Sequence, residues 1–455
     1  MLPGDLQTAR REPPQSASDS PSGERSDSHP EDESRTSRGE AVKLSNLASP
    51  RWPLGEEVLR SLPLRPQANT GRRVGRTMWR HVKRWFVQEL AVDLGTATTL
   101  IYGRGRGLLV HEPSVVAVNK YTGALVAVGH EALAMLGREP RDVVVRHPMR
   151  DGTVADGDLA AALLGALLER ARAGGSGRWT HVLIGVPSSA TDVERAVLPQ
   201  IAHQAGADRV HLIEEGLAAA LGVEAMRPDG RASMLVDIGG GTTGVSIVSA
   251  HGVILARAVR VAGNEMTEAI LDLLRREREV LVGWQVAEAV KFELASALPF
   301  LTEGRKRLLG KSVVTGELQE IEVTAEEVAR AIERPIQAIL NAVRAVIEAA
   351  PPDVAADIHQ VGIVLTGGGS LIRHLDDRVR EELRLPVRRA QRPLEAVILG
   401  MAKVLENPEL LAHFRTDSRI PAWEETLLPE DARPPSAIPP SAWAQERLRR
   451  RRAMG

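Results

Sequence analysis

Between residues 78 and 414, short apolar runs alternate with stretches whose apolar positions recur every three or four residues, the pattern of strands interleaved with amphipathic helices. The runs predict strands at 91–92 and 99–102, joined as a hairpin, and then at 114–118, 124–128, 181–186 and 209–213. A second hairpin is predicted over 234–248. Helices are expected near 159–172, 192–205 and 217–224, the last built mostly of small residues. Residues 361–365 form a further apolar run that breaks into glycines ahead of a helix expected over 371–383. This mixed order predicts an α/β protein. One stretch stands apart. Met78, Trp79, Val82, Trp85 and Phe86 share one helical face, while Arg76, Arg80, Lys83 and Arg84 carry positive charge with no acid until Glu89. Residues 78–90 are therefore expected to form a short basic amphipathic helix suited to an anionic membrane surface.

Two strand ends are nearly alike. Asp93, Leu94, Gly95, Thr96, Ala97 and Thr98 make the first, and Asp237, Ile238, Gly239, Gly240, Gly241 and Thr242 the second. In each, an apolar strand runs into an aspartate, the chain bends through glycine where no Cβ blocks a close ligand, and threonines open the next strand. Backbone N–H groups in such a bend, with the threonine hydroxyls, can hold phosphate oxygens, and an aspartate at the strand end can hold a magnesium ion through its waters. One such turn is commonplace. Two, spaced so that each half of a domain supplies one, point to a nucleotide clamped between duplicated halves. A third glycine turn, Gly367, Gly368, Gly369 and Ser370, follows the apolar run at 361–365 and leads into a helix, so that a flat ring or a phosphate could approach bare backbone.

Composition narrows the partners. The 455 residues allow two or more domains, and the formal net charge of −1 gives no global attraction to nucleic acid, which is not expected as a partner. Cysteine is absent, which excludes disulfides and thiolate chemistry and fits a reducing, cytoplasmic setting. No apolar run reaches the roughly 18 residues of a membrane span, and the N-terminus lacks the order of a secretion signal. Residues 1–75 are rich in Ser, Pro, Arg, Asp and Glu and are expected to be a disordered extension; residues 406–455 read as a Pro/Arg-rich tail ending in Arg449 to Arg452. Rival motifs fail. The stretch 304–312 has five residues between its glycines where a P-loop has four, and reads as a basic surface loop. His130 and Glu131 lack the second histidine of a zinc-protease helix.

The order of the three turns resembles the superfamily of actin, heat-shock chaperone and sugar-kinase ATPases, and more closely the MreB-like bacterial actins, the rod shape-determining proteins. The likeness runs from about Met78 to Leu405, through Asp93 to Ala97, Glu112 to Ala117, Ala127 to Ala132, Met135 to Arg138, Pro148 to Gly152, Leu212 to Glu215, Val236 to Thr243, Val261 to Gly263, and Pro351 with Pro352. It implies an actin-like (ribonuclease H-like) fold, two duplicated lobes around a nucleotide cleft, with lobe I over 91–235 and lobe II over 236–405. It also implies that Gly95, Thr96, Ala97, Thr98, Gly239, Gly240, Gly241 and Thr242 hold the phosphates of ATP, that Asp93 and Asp237 face Mg2+ through water, and that Glu215 orients the attacking water. Adenosine contacts fall by the same likeness on Glu288, Lys291 and Glu293 and on Gly367, Gly368, Gly369 and Ser370.

The implied function is a slow ATPase that polymerises with itself into filaments on the inner face of the cell membrane and, with cell-wall elongation proteins, organises wall synthesis and cell shape. A monomeric kinase, a chaperone-type ATPase and a hydrolysis-weak scaffold remain as alternatives. Three positions depart from the family pattern, which usually has Asn at Thr98, Pro at Gly216 and Glu at Gly244. Of these, Gly216 is expected to loosen the backbone beside Glu215.

Overall fold

The computed structural model describes residues 87–173, 179–301 and 303–414. Its centre is a pair of five-stranded sheets. The first is built from β1 (Val87–Leu94), β2 (Thr98–Gly103), β3 (Gly107–Pro113), β4 (Trp179–Val186) and β5 (Arg209–Glu214), in the order β5-β4-β1-β2-β3. The second uses β6 (Ser233–Ile238), β7 (Thr243–Ser249), β8 (Gly252–Val259), β9 (Ile363–Thr366) and β10 (Val387–Arg389), in the order β8-β7-β6-β9-β10. In both, the middle strand has an antiparallel hairpin on one side and two parallel strands on the other. The duplication expected from the paired turns is thus a duplication of whole sheets.

Apolar residues explain the layering. The middle strands are covered on both faces, so they read as continuous apolar runs rather than as alternation: Leu90, Ala91 and Val92 in β1, and Met234, Leu235 and Val236 in β6, are all buried. Each lobe has its own core, the first lobe adding a small cluster around Val115, Ala117 and Ala132, and another core fills the space between the sheets, joining Ala91, Leu183 and Ile213 to Leu235, Val248 and Val364. Two helices occupy that middle layer, Glu215–Gly222 and Ala396–Glu406. They approach through glycine. A Cβ on Gly400 would lie 1.6 Å from the Ala218 carbonyl oxygen, and one on Gly222 would lie 1.9 Å from the Ala396 carbonyl oxygen. Lys403, 4% exposed, closes the pair by donating to the Leu221 carbonyl at 2.9 Å and to Glu224 at 3.1 Å.

Several boundaries differ from expectation. Residues 87–90 are not the end of an amphipathic helix but the start of β1, because they pair in parallel with Trp179 to Val182 of β4. Met78, Trp79, Val82, Trp85 and Phe86 lie outside the described residues, as do residues 1–75. The lobe boundary placed between 235 and 236 falls inside β6, which belongs whole to the second sheet. The expected tail from 406 begins instead with a helix, Pro408–Phe414, whose amides at Glu409 and Leu410 are capped by the Asn407 side chain and whose Leu410 joins the core between the sheets. The basic stretch at 304–312 is not a loop but a strand, Arg305–Ser312, with Arg305, Arg307, Leu309 and Lys311 outward and Leu308 inward. Finally, the helix expected over 371–383 is Leu375–Leu383, preceded by a 3-10 turn at Gly368–Leu371. His374, at φ 58°, stands in the left-handed region between them, where a right-handed helix cannot continue.

The glycine contact between the middle helices makes a measurable demand. Gly400→Ala should lower unfolding free energy by about 2–3 kcal/mol or more, since overpacking against a fixed carbonyl cannot be relieved by rotating a side chain; urea titration of wild type and variant reads this directly, and a change under ~0.5 kcal/mol would mean the helices separate freely.

Candidate functional site

The two matching turns have the same backbone. The Gly95 amide donates to the Thr98 carbonyl at 3.1 Å, and the Gly239 amide to the Thr242 carbonyl at 2.9 Å. Registers agree as well, with Asp93 opposite Leu100 and Leu94 opposite Thr99 in one hairpin, Asp237 opposite Gly244 and Ile238 opposite Thr243 in the other. The turns meet across the cleft. A Cβ on Gly240 would lie 2.6 Å from the Ala97 Cβ, and one on Gly241 would lie 2.9 Å from Thr96 Cγ2. Glycine is needed at these two positions by the opposite lobe.

Each turn is braced from behind. Ser114 donates from its hydroxyl to the Gly95 carbonyl at 2.6 Å and from its amide to the Ala97 carbonyl at 2.9 Å. In the second turn the brace is the start of the Gly263–Arg276 helix, where the Gly263 and Asn264 amides donate to the Gly239 and Gly240 carbonyls at 3.2 and 2.7 Å. The Gly152 amide donates to Thr96 Oγ1 at 2.9 Å. With their carbonyls thus committed, the amides of Thr96, Ala97, Gly240 and Gly241 donate to no acceptor among the described residues. Such free N–H groups at facing bends are the donor set an oxyanion takes.

Three carboxylates converge beside these donors. Asp93 and Asp237 end β1 and β6, and Glu215 opens the Glu215–Gly222 helix directly after β5. Each keeps some exposure to the cleft while protein surrounds most of it. Burial, and then the Asp237 charge, push Asp93 up to about 7. Burial raises Glu215 well above the usual carboxylate range, with Asp93 and Asp237 adding to the shift. Asp237 is raised by burial and partly relieved by Thr366, whose hydroxyl donates to Asp237 Oδ1 at 3.0 Å. No lysine or arginine among the described residues pairs with any of the three. Among the described residues the three do not form a cage that could hold a metal ion directly, so a cation here would have to meet Asp93 and Asp237 through water. Glu214 is held elsewhere, by Arg195 at 3.3 Å, which leaves Glu215 as the glutamate facing the cleft. Gly185 on β4 makes room for it, since a Cβ there would lie 3.2 Å from Glu215 Cγ. Glu215 also borders a cavity of about 210 Å³ shared with Leu94, Gly152 and Gly185.

The third turn comes to the same place. Gly367, at φ 77°, needs glycine for its own conformation and for its neighbour, because a Cβ would lie 2.6 Å from Asp237 Oδ1. Gly368 begins the 3-10 turn, Gly369 packs on Ile238, and buried Ser370 donates to the Gly367 carbonyl at 2.7 Å. Glu288 and Lys291 share one face of the Trp284–Leu294 helix and pair at 2.8 Å. Glu293 faces the opposite way and pairs with Lys306 on the Arg305–Ser312 strand, so the structure does not bring it to the other two. Lys291 is 6% exposed and donates to the Gly263 carbonyl and to Thr267 Oγ1. Ser114, Gly152, Gly185, Gly263, Thr267 and Thr366 are the site residues that motif reading passed over.

Residues 87–413 match the family model described as MreB/Mbl protein. The chain belongs to the MreB/Mbl family. It is 39% identical over 326 residues to the cell shape-determining protein MreB of Escherichia coli K12, covering 70% of this chain and 94% of that one, and 35% identical over 328 residues to Mbl of Bacillus subtilis, covering 72% and 98%. Among solved structures, MreB5 of Spiroplasma citri bound to ADP matches with a TM-score of 0.67 at 31% identity, over 71% of this chain and 98% of that one. A MamK double helical filament matches with a TM-score of 0.61 at 25% identity, over 70% and 99%. The fold is therefore actin-like, and the duplicated sheets are the two lobes of an MreB-family protein.

Gly216 has a packing role in this MreB-family chain. It sits inside the first turn of a packed helix, and a Cβ there would lie 2.2 Å from Ser246 Oγ and 2.9 Å from Ser246 Cβ. The glycine admits β7 to the helix. At Gly244, by contrast, the space is open.

Two outcomes follow from this geometry. Gly216→Ala should destabilise by about 1–3 kcal/mol, and Ser246→Gly in the same chain should recover at least half of the loss, a coupling that a double-mutant cycle in urea measures and that additivity of the two changes would exclude. The carboxylates set the pH response. Asp93 has a folded value above its unfolded 3.8, so the folded chain holds a proton there that the unfolded chain releases. That contribution is complete below 3.8 and lost as pH rises through about 7. In magnesium-free buffer without nucleotide, Asp93→Asn should gain stability relative to wild type steadily from about pH 4 to about pH 8; a difference independent of pH would remove Asp93 as its source.

Proposed function

We propose that this chain is an ATP-dependent cytoskeletal protein that polymerises into membrane-associated filaments and organises cell-wall synthesis and cell shape. One observation carries the reading: two turns of the same backbone, one from each lobe, present free amides beside Asp93, Asp237 and Glu215. Donors and carboxylates together suit a nucleotide triphosphate carried with magnesium, and solved relatives hold ADP and AMPPNP. Bound magnesium would supply charge neutralisation at the phosphates. The chain's own residues would then divide the remaining work. Gly95 to Thr98 and Gly239 to Thr242 bind the phosphates, Asp93 and Asp237 face the ion through water, and Gly367 to Ser370 with Glu288 receive the nucleoside. Glu215 orients a water for slow hydrolysis, where positioning matters more than covalent chemistry. Self-association is supported by the filament of the MamK neighbour. The membrane contact would come from Met78, Trp79, Val82, Trp85 and Phe86, and many copies along a filament would multiply a weak single anchor. No helix among the described residues is long and apolar enough to cross a membrane.

Sedimentation of the full chain tests this. Mg-ATP should drive wild type into the pellet above a critical concentration, and the filaments should float with anionic vesicles unless Trp79→Ala and Trp85→Ala are introduced together. Glu215→Ala should still pellet but release phosphate roughly tenfold more slowly or less. No ATP-dependent pellet, or turnover that requires a second small-molecule substrate, would overturn the filament reading.

A further inference from the structure

We propose that Gln285 is a strap across the mouth of the cleft, joining the lobes beyond Glu288 so that nucleotide enters and leaves only while this one bond is open, an inference that rests on the nucleotide-binding reading above. Gln285 lies in the first turn of the Trp284–Leu294 helix, three residues before Glu288 and on the same face. Six residues separate it from Lys291, which reaches the Gly263 carbonyl beside the second turn, so Gln285 stands about 9 Å farther out along the helix axis. There its side-chain amide donates to the Leu133 carbonyl of the His130–Met135 helix in lobe I at 2.6 Å. Among the described residues no other hydrogen bond or ion pair joins 115–146 to the second lobe.

Both ends of the bond are anchored in their own lobes. Ala287, Val290 and Leu294 bury the Trp284–Leu294 helix in the core of lobe II. In lobe I the helix that carries Leu133 is tied at its start, where the His130 amide donates to Glu112 Oε2 at 2.8 Å and the Gly129 amide to the Val115 carbonyl at 2.9 Å. Glu112 is fixed in turn by Arg170 at 2.8 Å, and Ser114, between the two anchor points, is the brace of the first phosphate turn. The Leu133 carbonyl, in the last turn of its helix, accepts the Leu136 amide at 3.1 Å and offers its other lone pair to Gln285. At the floor of the cleft and in the middle layer the lobes meet backbone against backbone, at Gly240 and Gly400, and no side-chain rotation parts them. The mouth differs, because Gln285 is exposed and its bond breaks when one side chain changes rotamer. The lobes can therefore part at the mouth without disturbing the turns below.

Stopped-flow exchange of a fluorescent ATP analogue on the unpolymerised full chain reads the strap directly. In Gln285→Ala, association and dissociation should both quicken about threefold or more, the effect of losing one ordinary hydrogen bond, while their ratio stays within about twofold of wild type. Gln285→Glu keeps the length of the side chain but loses the donor, and should behave in the same way. Faster dissociation alone would make Gln285 a contact to the nucleotide, and rates unchanged in either variant would make the bond inconsequential; both results overturn the proposal. The chain has no cysteine, so spin labels at Glu131→Cys and Leu281→Cys, both exposed, measure the mouth with no ligand present. Adding Gln285→Ala should broaden their distance distribution and shift it to longer values, and an unchanged distribution overturns the proposal. If wild type binds no ATP analogue, this distance still judges the strap while the nucleotide reading falls on its own.

Discussion

Everything at the cleft depends on two turns standing against each other so closely that one of them carries no side chain at the contact. Gly240 faces Ala97, Gly241 faces Thr96, and in both places a Cβ would collide with the other lobe. Neither glycine has a positive φ, so its own conformation does not call for glycine. Gly367 is the contrary case, with a left-handed φ and Asp237 beside it. The distinction matters for reading such motifs. A glycine required by its own dihedral is a local property of the turn, whereas Gly240 and Gly241 are required by a contact 140 residues distant along the chain, which exists only once both lobes have folded.

Charge supplies the second constraint. Free amides alone would suit an anion, but three raised carboxylates stand next to them and would repel it. Carboxylates alone would suit a cation, but the amides would face it with the wrong sign. The function we propose answers this with a ligand that carries both signs in one unit, its anionic part toward the turns and its cationic part toward Asp93 and Asp237. A metal complex of a polyphosphate has that form. Burial and mutual repulsion of this like charge raise Asp93 and Glu215, and burial raises Asp237.

How much of this was legible beforehand follows from how local each signal is. The hairpins at Asp93 and Asp237 are written in seven or eight consecutive residues, so both turns and their equivalence could be read directly. Glu215 could be reached only through resemblance, because its role comes from Gly185 on another strand and from Arg195 holding Glu214 aside. The braces at Ser114, Gly263 and Thr366 were missed because two are single hydroxyls and one a backbone amide, and each meets its partner only through the fold. Residues 87–90 were misread because four residues ending an amphipathic pattern fit a helix as well as a strand, and only the pairing with β4 decides. Pro408–Phe414 was lost to composition: charged and proline-bearing residues around it hide one apolar contact, Leu410, which is 2% exposed.

The middle layer ties these elements together mechanically. Glu215 begins a helix whose far end, Gly222, is locked to the Ala396–Glu406 helix through mutual glycine contacts, and that second helix packs on β1 and β2 of the opposite sheet from the one that precedes it in the chain. Near its start, the Glu215 helix also meets β7 of the second sheet at Ser246. The residue that faces the cleft therefore rides on an element gripped by both lobes at carbonyl-to-backbone distances. Close-packed contacts of this kind do not deform gradually. A change in the angle between the sheets must either carry the Glu215 helix with it or break the Gly216–Ser246 and Gly222–Gly400 contacts, so the position of that carboxylate and the closure of the lobes are set by the same few atoms.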